Sequence, residues 1–322
     1  MIGRKPFFIF VAALSAAGPA NAEEDCHLHA IFAVASHGGE LTENVPGAAR
    51  LAIMKAALTK ARADLAAGAH AVDVVETIVR TYEDSGAFNA GKGAIADAAG
   101  IVETDAAIMD GDGLRAGAVA SMTEIENPIH AARLVMDAGR HVLMVGDRGQ
   151  RYVEQLGAAA VPRSYFIKTD KPKFITDTHG TVGAVALDRC GHIAAATSTG
   201  GYDAKIPGRV GDSPLVGDGV YANDAVAGFS ATGYGEYFIR FNVSKDVADR
   251  MSYGHETMQR AMDDDLHKLL PPLKADGGMV GVDKDGNVQM QWNNVGMFRG
   301  YATDKDAPVV AEYAGPTSNK PR

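Results

Sequence analysis

The feature that most constrains this chain is the order of its apolar runs on either side of one aperiodic stretch. Residues 158–178 have no hydrophobic period and contain Pro162, Pro172, three lysines and one arginine, so they read as a linker. Before the linker, 29–36 is an apolar, β-branched run ending at His37-Gly38-Gly39 and predicts a buried strand. Residues 48–65 and 70–82 carry apolar side chains at helical spacing. Two strands, 102–109 and 115–122, are joined by the turn-forming Asp110-Gly111-Asp112-Gly113. Asn127 as N-cap and Pro128 at the first helical position open a helix to Asp137, followed by a strand at 142–145 and a helix at 147–156. After the linker come strands at 181–187, 192–198 and 226–232, helices at 234–241, 247–253 and 257–269, and strands at 278–282, 288–292 and 297–301. Strands, helices and strands thus occur twice. An α/β arrangement of two face-to-face sheets with helices outside accommodates that order.

Composition removes other classes. With 46% hydrophobic residues among 322, the chain is too apolar for disorder. A net charge of -9 argues against a nucleic-acid partner. Arg4 and Lys5, an apolar stretch over 6–17 and a small-x-small site at Ala20-Asn21-Ala22 predict a signal peptide over 1–22. The expected mature chain is 23–322, exported, and periplasmic if the source is Gram-negative. The apolar run is shorter than the roughly 20 residues a bilayer span needs. The two cysteines, Cys26 and Cys190, leave pairing open.

Several motifs fail on inspection. Gly86 to Lys92 matches a phosphate loop except that Gly93 replaces the Mg²⁺-binding hydroxyl, and a helix rather than a strand precedes it. Asp110-x-Asp112 and Asp283-x-Asp285-x-Asn287 begin like calcium loops but lack the twelfth-position Glu. His27-x-His29 has no third ligand, and no Gly-x-Ser-x-Gly elbow is present.

His179-Gly180-Thr181 stands at the junction of linker and buried strand. A hydroxyl after a glycine suits backbone self-cleavage, because the Thr181 hydroxyl can attack the Gly180 carbonyl and Gly tolerates a strained backbone. Hydrolysis of the resulting ester frees Thr181 as a new N-terminus. Its α-amine, with a pKa of about 8, can then act as base for its own hydroxyl. On these residues alone, a β-branched residue starting a strand is the better reading.

The surroundings carry more. The stretches 181–188, 194–201 (ending Thr-Ser-Thr-Gly-Gly), 207–214 (Pro-Gly-Arg-Val-Gly-Asp-Ser-Pro) and 231–236 (Ala-Thr-Gly-Tyr-Gly-Glu) resemble the plant-type asparaginase/isoaspartyl peptidase family. Upstream, Ser36-His-Gly-Gly39, 88–93 (Phe-Asn-Ala-Gly-Lys-Gly), 105–111 and Asn127-Pro128 fit the same family in order. These are N-terminal nucleophile hydrolases that mature by self-cleavage. The resemblance implies a four-layer αββα sandwich, encoded as 23–180 and 181–322 with the cut between Gly180 and Thr181. It implies Thr181 as nucleophile, Thr199 beside it, Thr232 with the Gly233 N–H as oxyanion hole, and Asn89 as support for processing. Arg209 and Asp212 would hold the substrate's α-carboxylate and α-ammonium, which suits a guanidinium fork and a carboxylate; Gly235 would offer backbone contact. Without the resemblance, these residues read as an ion pair, a turn and strand threonines.

No catalytic cofactor is implied. A structural sodium ion on the backbone carbonyls of Tyr82, Glu83, Ser85, Phe88, Ala90 and Lys92 is, as is a dimer of cleaved pairs. Expected substrates are L-asparagine and β-aspartyl dipeptides, releasing L-aspartate. Glycosylasparaginase activity is the alternative, although that subfamily typically has Asp where this chain has Gly180; an uncut, non-catalytic aspartate- or asparagine-binding protein is another. Three departures bear on leaving-group preference: Glu40-Leu41, Tyr202-Asp203-Ala204 and Trp292-Asn293-Asn294.

Overall fold

The computed structural model describes residues 29–41, 47–166 and 179–313. The expected leader over 1–22, Cys26 and most of the linker lie outside the described residues. In chain order the elements are β1 (Ala33–Leu41), α1 (Ala48–Ala66), α2 (Ala71–Ser85), β2 (Thr104–Asp110), β3 (Arg115–Met122), α3 (Pro128–Ala138), β4 (Leu143–Val145) and α4 (Gly146–Gln155). There follow β5 (His179–Leu187), β6 (Ile193–Tyr202), β7 (Val220–Asn223), β8 (Ala227–Gly233), α5 (Gly235–Phe241), α6 (Val243–Ser252) and α7 (Met258–Asp263). A single π-helical turn, Asp264–Leu269, continues α7, and β9 (Gly277–Asp283), β10 (Val288–Trp292), β11 (Gly296–Thr303) and β12 (Val309–Tyr313) complete the described chain.

Eight strands form one sheet in the order β12-β11-β1-β5-β6-β2-β3-β4, and four form a second in the order β10-β9-β8-β7. Strand alternation explains why the central runs are apolar throughout. On β5, Val182, Ala184 and Ala186 join the core shared with α1–α4, whereas Val185 and Leu187 join Phe229, Ala231 and Val280 between the sheets. The inter-sheet core continues to Val247, Met262 and Leu266 on the helices behind the second sheet. The layers are therefore helix, sheet, sheet, helix, the expected sandwich.

Two helix starts are capped from elsewhere in the chain, and that of α3 differs from expectation. Asn127 does not cap α3 with its side chain; it donates instead to Asp84 Oδ1 at 2.7 Å. The Ile129 amide is accepted by Glu83 Oε1 at 3.1 Å, so a carboxyl group from α2 does the capping. Likewise Asp188, in the β5–β6 turn, accepts the Ala71 amide of α2 at 2.9 Å. Cys190 lies in that turn as expected and is disulfide-bonded.

Candidate active site

Thr181 sits near the N-terminal end of β5, directly opposite Thr199 on β6. Its neighbours Gly183 and Val185 show which face it shares: the one turned toward the second sheet. The Thr181 hydroxyl donates to Thr199 Oγ1 at 3.3 Å, and Thr199 Oγ1 donates in turn to the Gly180 carbonyl at 2.9 Å. Asn89 Nδ2 donates to the same carbonyl at 2.9 Å and to the Gly201 carbonyl at 2.5 Å. Asn89 is itself fixed, since its Oδ1 accepts the Ile95 amide at 3.0 Å and its carbonyl accepts Gly200 N–H. Two donors thus converge on the Gly180 carbonyl, next to the hydroxyl that would attack it.

Two irregularities of the strands build this geometry. The β5–β6 register shifts between His179 and Thr181, with Gly200-Gly201 as the extra length on β6 and Gly201 at φ +86°. The β1–β11 register shifts between His37 and Glu40 at Gly38-Gly39, with Gly39 at φ +101°. A Cβ on Gly39 would lie 3.2 Å from Gly180 Cα. The His-Gly-Gly segment therefore lets β1 curl against the proposed scissile bond. His37 is fully buried, hydrogen-bonded through Nε2 to Ser230 Oγ at 2.8 Å, and burial pushes its pKa down to about 3. It is a neutral strut between the sheets. Among the described residues, no histidine or carboxylate hydrogen-bonds the Thr181 hydroxyl.

The loop after β6 carries the charged residues. Arg209 forms a bidentate pair with Glu236, Nε to Oε1 at 3.0 Å and Nη2 to Oε2 at 2.9 Å, and its guanidinium lies 4.7 Å from the Tyr202 ring centroid. Asp212 is buried, and burial pushes its carboxyl up to about 7 against the opposing pull of Arg209. A Cβ on Gly235 would meet Asp212 Oδ1 at 2.6 Å and Arg209 Nη2 at 3.0 Å, so Arg209, Asp212 and Gly235 form one cluster. Gly219 fastens the loop to both sheets: its N–H donates to the Asp212 carbonyl, and its own carbonyl accepts Thr197 Oγ1 and the Ala231 amide. On β8, Thr232 shares the face of Ser230, which hydrogen-bonds Thr197, and Gly233 follows at φ +143°. Asp212 Oδ2 and Thr232 Oγ1 are both buried without a hydrogen-bond partner among the described residues.

In the sequence Glu236 only ends the 231–236 motif; its hold on Arg209 depends on the turn into α5 and has no signature of its own. Two of the three departures also touch each other: Asn294 Nδ2 donates to Glu40 Oε2 at 2.5 Å. The third, Tyr202, stacks on Arg209. Residues 82–92 close on themselves between the end of α2 and the turn Gly91–Gly93. A Cβ on Gly93 would fall on the Phe88 carbonyl, and one on Gly91 would strike Glu83. Ser85 Oγ donates to the Tyr82 carbonyl at 2.7 Å, and the Lys92 ammonium lies 5.5 Å from the Tyr165 ring centroid. At the far end of β6, Asp112, His192 and Asp224 bring ligand atoms within 4.8 Å of one another; His192 Nδ1 is hydrogen-bonded to Asp224 Oδ2 at 2.8 Å, and Asp224 Oδ1 accepts the Ile193 amide at 2.7 Å.

The asparaginase 2 family model matches residues 30–312. An isoaspartyl peptidase of Salmonella typhimurium is 42% identical over 269 residues, covering 77% of this chain and 86% of that protein. The isoaspartyl peptidase of Escherichia coli is also 42% identical, covering 77% and 84%. A probable isoaspartyl peptidase/L-asparaginase 2 of Arabidopsis thaliana is 35% identical over 323 residues, covering 87% and 98%. With a match across almost all the described residues and the sandwich of two sheets between helices, this chain belongs to the asparaginase 2 family of N-terminal nucleophile hydrolases.

Proposed function

We propose that the protein is a self-activating amidohydrolase that hydrolyses the β-amide of L-asparagine and of β-aspartyl dipeptides. The observation that carries this reading is the Gly180 carbonyl, held by Asn89 and Thr199 beside the Thr181 hydroxyl. Two donors on one carbonyl polarise it and stabilise the oxyanion that attack would produce. As Thr181 Oγ bonds to the Gly180 carbon, the hydroxyl proton moves toward Thr199. The carbon–nitrogen bond then breaks, the Thr181 nitrogen takes up a proton, and an ester remains. Water hydrolyses that ester, leaving a Gly180 carboxylate and a free Thr181 amine.

In turnover the amine accepts the hydroxyl proton while Oγ attacks the substrate's side-chain amide carbonyl. The leaving amine departs protonated, and water releases L-aspartate from the Thr181 ester. Thr232 Oγ1 and the Gly233 N–H serve the developing oxyanion. Arg209 and Asp212 take the α-carboxylate and α-ammonium. Asp212 Oδ2, buried without a hydrogen-bond partner among the described residues, supports that role, because a substrate ammonium would supply the missing donor.

Mass spectrometry tests the scheme first: fragments beginning at Thr181 and ending at Gly180 are expected, and an intact, inactive chain would refute it. Thr181→Ala should abolish both cleavage and turnover. Ammonia release from asparagine, cleavage of β-Asp-Leu and cleavage of a glycosylated asparagine rank the substrates. The self-closing loop at 82–92 supports a structural sodium ion on its carbonyls; replacing sodium with choline should then lower the melting temperature. A leader over 1–22 and a disulfide at Cys190 support export, which a mature N-terminus at Glu23 would establish. Sedimentation would test for a dimer of cleaved pairs.

A further inference from the structure

Lys205 is fully buried, at 0% exposure, which is rare for lysine. The mechanism above gives it no task. Its Nζ donates to the Glu103 carbonyl at 3.0 Å and lies 3.9 Å from Glu103 Oε2. The same Oε2 accepts the Gly208 amide at 2.9 Å, one residue before Arg209. Lys205 also packs against the bulge behind the nucleophile: a Cβ on Gly201 would meet its Cδ at 2.7 Å and its Nζ at 3.2 Å. Gly201 is the residue whose carbonyl Asn89 binds while it holds Gly180. On β2 the fully buried Asp105 faces the positive charge of Lys205 and, more weakly, that of Arg209; it accepts the Ser121 amide at 2.8 Å and pairs in register with Thr199.

The loop that presents Arg209 is therefore tied down at two points. Its start is wedged against the Gly200-Gly201 bulge by the lysine stem, and Gly208 is tied to Glu103, which also holds the lysine head. A buried charge is costly unless paired, and a methionine would fill the same volume without it. We infer that Lys205 is a positioning residue that pegs the Arg209 loop to the bulge behind Thr181, setting the distance between carboxylate recognition and the nucleophile. This rests on the reading of Arg209 as the α-carboxylate site.

The test is the double variant Lys205→Met with Asp105→Asn, which removes both buried charges together and keeps an acceptor for Ser121. The folded, self-cleaved variant should show KM for L-asparagine raised about tenfold with kcat within about threefold, the signature of lost binding rather than lost chemistry. Wild-type KM in that variant overturns the inference and leaves Lys205 a stability residue. Parallel loss of cleavage, kcat and KM overturns it too, since the damage would then be general. Should the double variant not fold, Glu103→Ala decides, because it releases the Gly208 tie and the Oε2 contact with Lys205 while the Glu103 carbonyl still accepts from Nζ. A rise in KM of about fivefold supports the peg, and no change refutes it. Wild-type protein that cleaves itself but hydrolyses neither L-asparagine nor β-Asp-Leu would instead refute the proposed function, so the two failures are distinguishable.

Discussion

Asp212 carries a conflict between stability and binding. Burial pushes its carboxyl from an ordinary value near 4 up to about 7. The native state therefore takes up this proton more readily than the unfolded chain. The stability it contributes is fully present below about pH 4 and is lost as pH rises through 7. Glu83, pushed up by burial to about 8, and Asp218 and Asp265, each pushed up to about 7, act in the same direction. Asp212→Asn in a Thr181→Ala background should thus melt higher than its parent at pH 8, by about 1–2 kcal/mol of stability. The difference should shrink toward pH 5, where the parent's carboxyl is already protonated. Calorimetry across that range checks it; a constant difference would place the cause elsewhere. In the cleaved enzyme the carboxylate is the form that receives a substrate ammonium, so KM should rise as pH falls below 7.

At the scale of elements, the glycine pair in β1 is the clearest case of local backbone set by a distant need. Gly39 stands at φ +101°, a region that other residues enter only with strain of about 1–3 kcal/mol, and its missing side chain faces Gly180. Gly39→Ala is expected to lose that stability and to slow self-cleavage at least about tenfold. Gly68→Ala supplies the control, because Gly68 has a similar φ of +94° with nothing within 4 Å. It should lose comparable stability while cleaving normally; equal slowing in both would mean that strain, not proximity, matters.

The same strand shows what the sequence could and could not reveal. The apolar run and its glycines predict a strand over 29–36, whereas β1 spans Ala33–Leu41 and continues through the bulge. Period and turn chemistry identify elements well, so α1, β3 and β10 fall within a residue of expectation. They do not identify bulges, which depend on the partner strand. Nor did they find β7 and β12, short strands of four and five residues at sheet edges with little burial pattern to read. Motif residues near Thr181 were legible because glycines and threonines cluster there in fixed order. Glu236, Lys205 and the capping by Glu83 were not, because each joins segments far apart in sequence and has no local period.

The whole molecule is interleaved. In the large sheet β1 from the N-terminal part lies between β11 and β5 from the C-terminal part, and β6 lies beside β2. The proposed cut at Thr181 would therefore divide the chain but not the fold: the C-terminal piece supplies all of the small sheet, but neither piece alone builds the large one. β5, the strand in which the cut falls, would remain hydrogen-bonded on both edges beyond it. The cleaved protein should run as one species under native conditions and separate into two only in denaturant. Refolding should then differ between the two covalent forms. In the uncut Thr181→Ala chain, β5 finds β1 by closing a loop. In the cut protein the same pairing is a bimolecular step, with unpaired strand edges exposed while it waits. Dilution from guanidinium at micromolar concentration should return most of the uncut variant and markedly less of the cut protein, with the shortfall in aggregates. Lowering the concentration should slow the cut protein's assembly and leave the uncut chain's folding rate unchanged. Equal, concentration-independent recovery of both would show that each piece folds alone, contrary to the strand order.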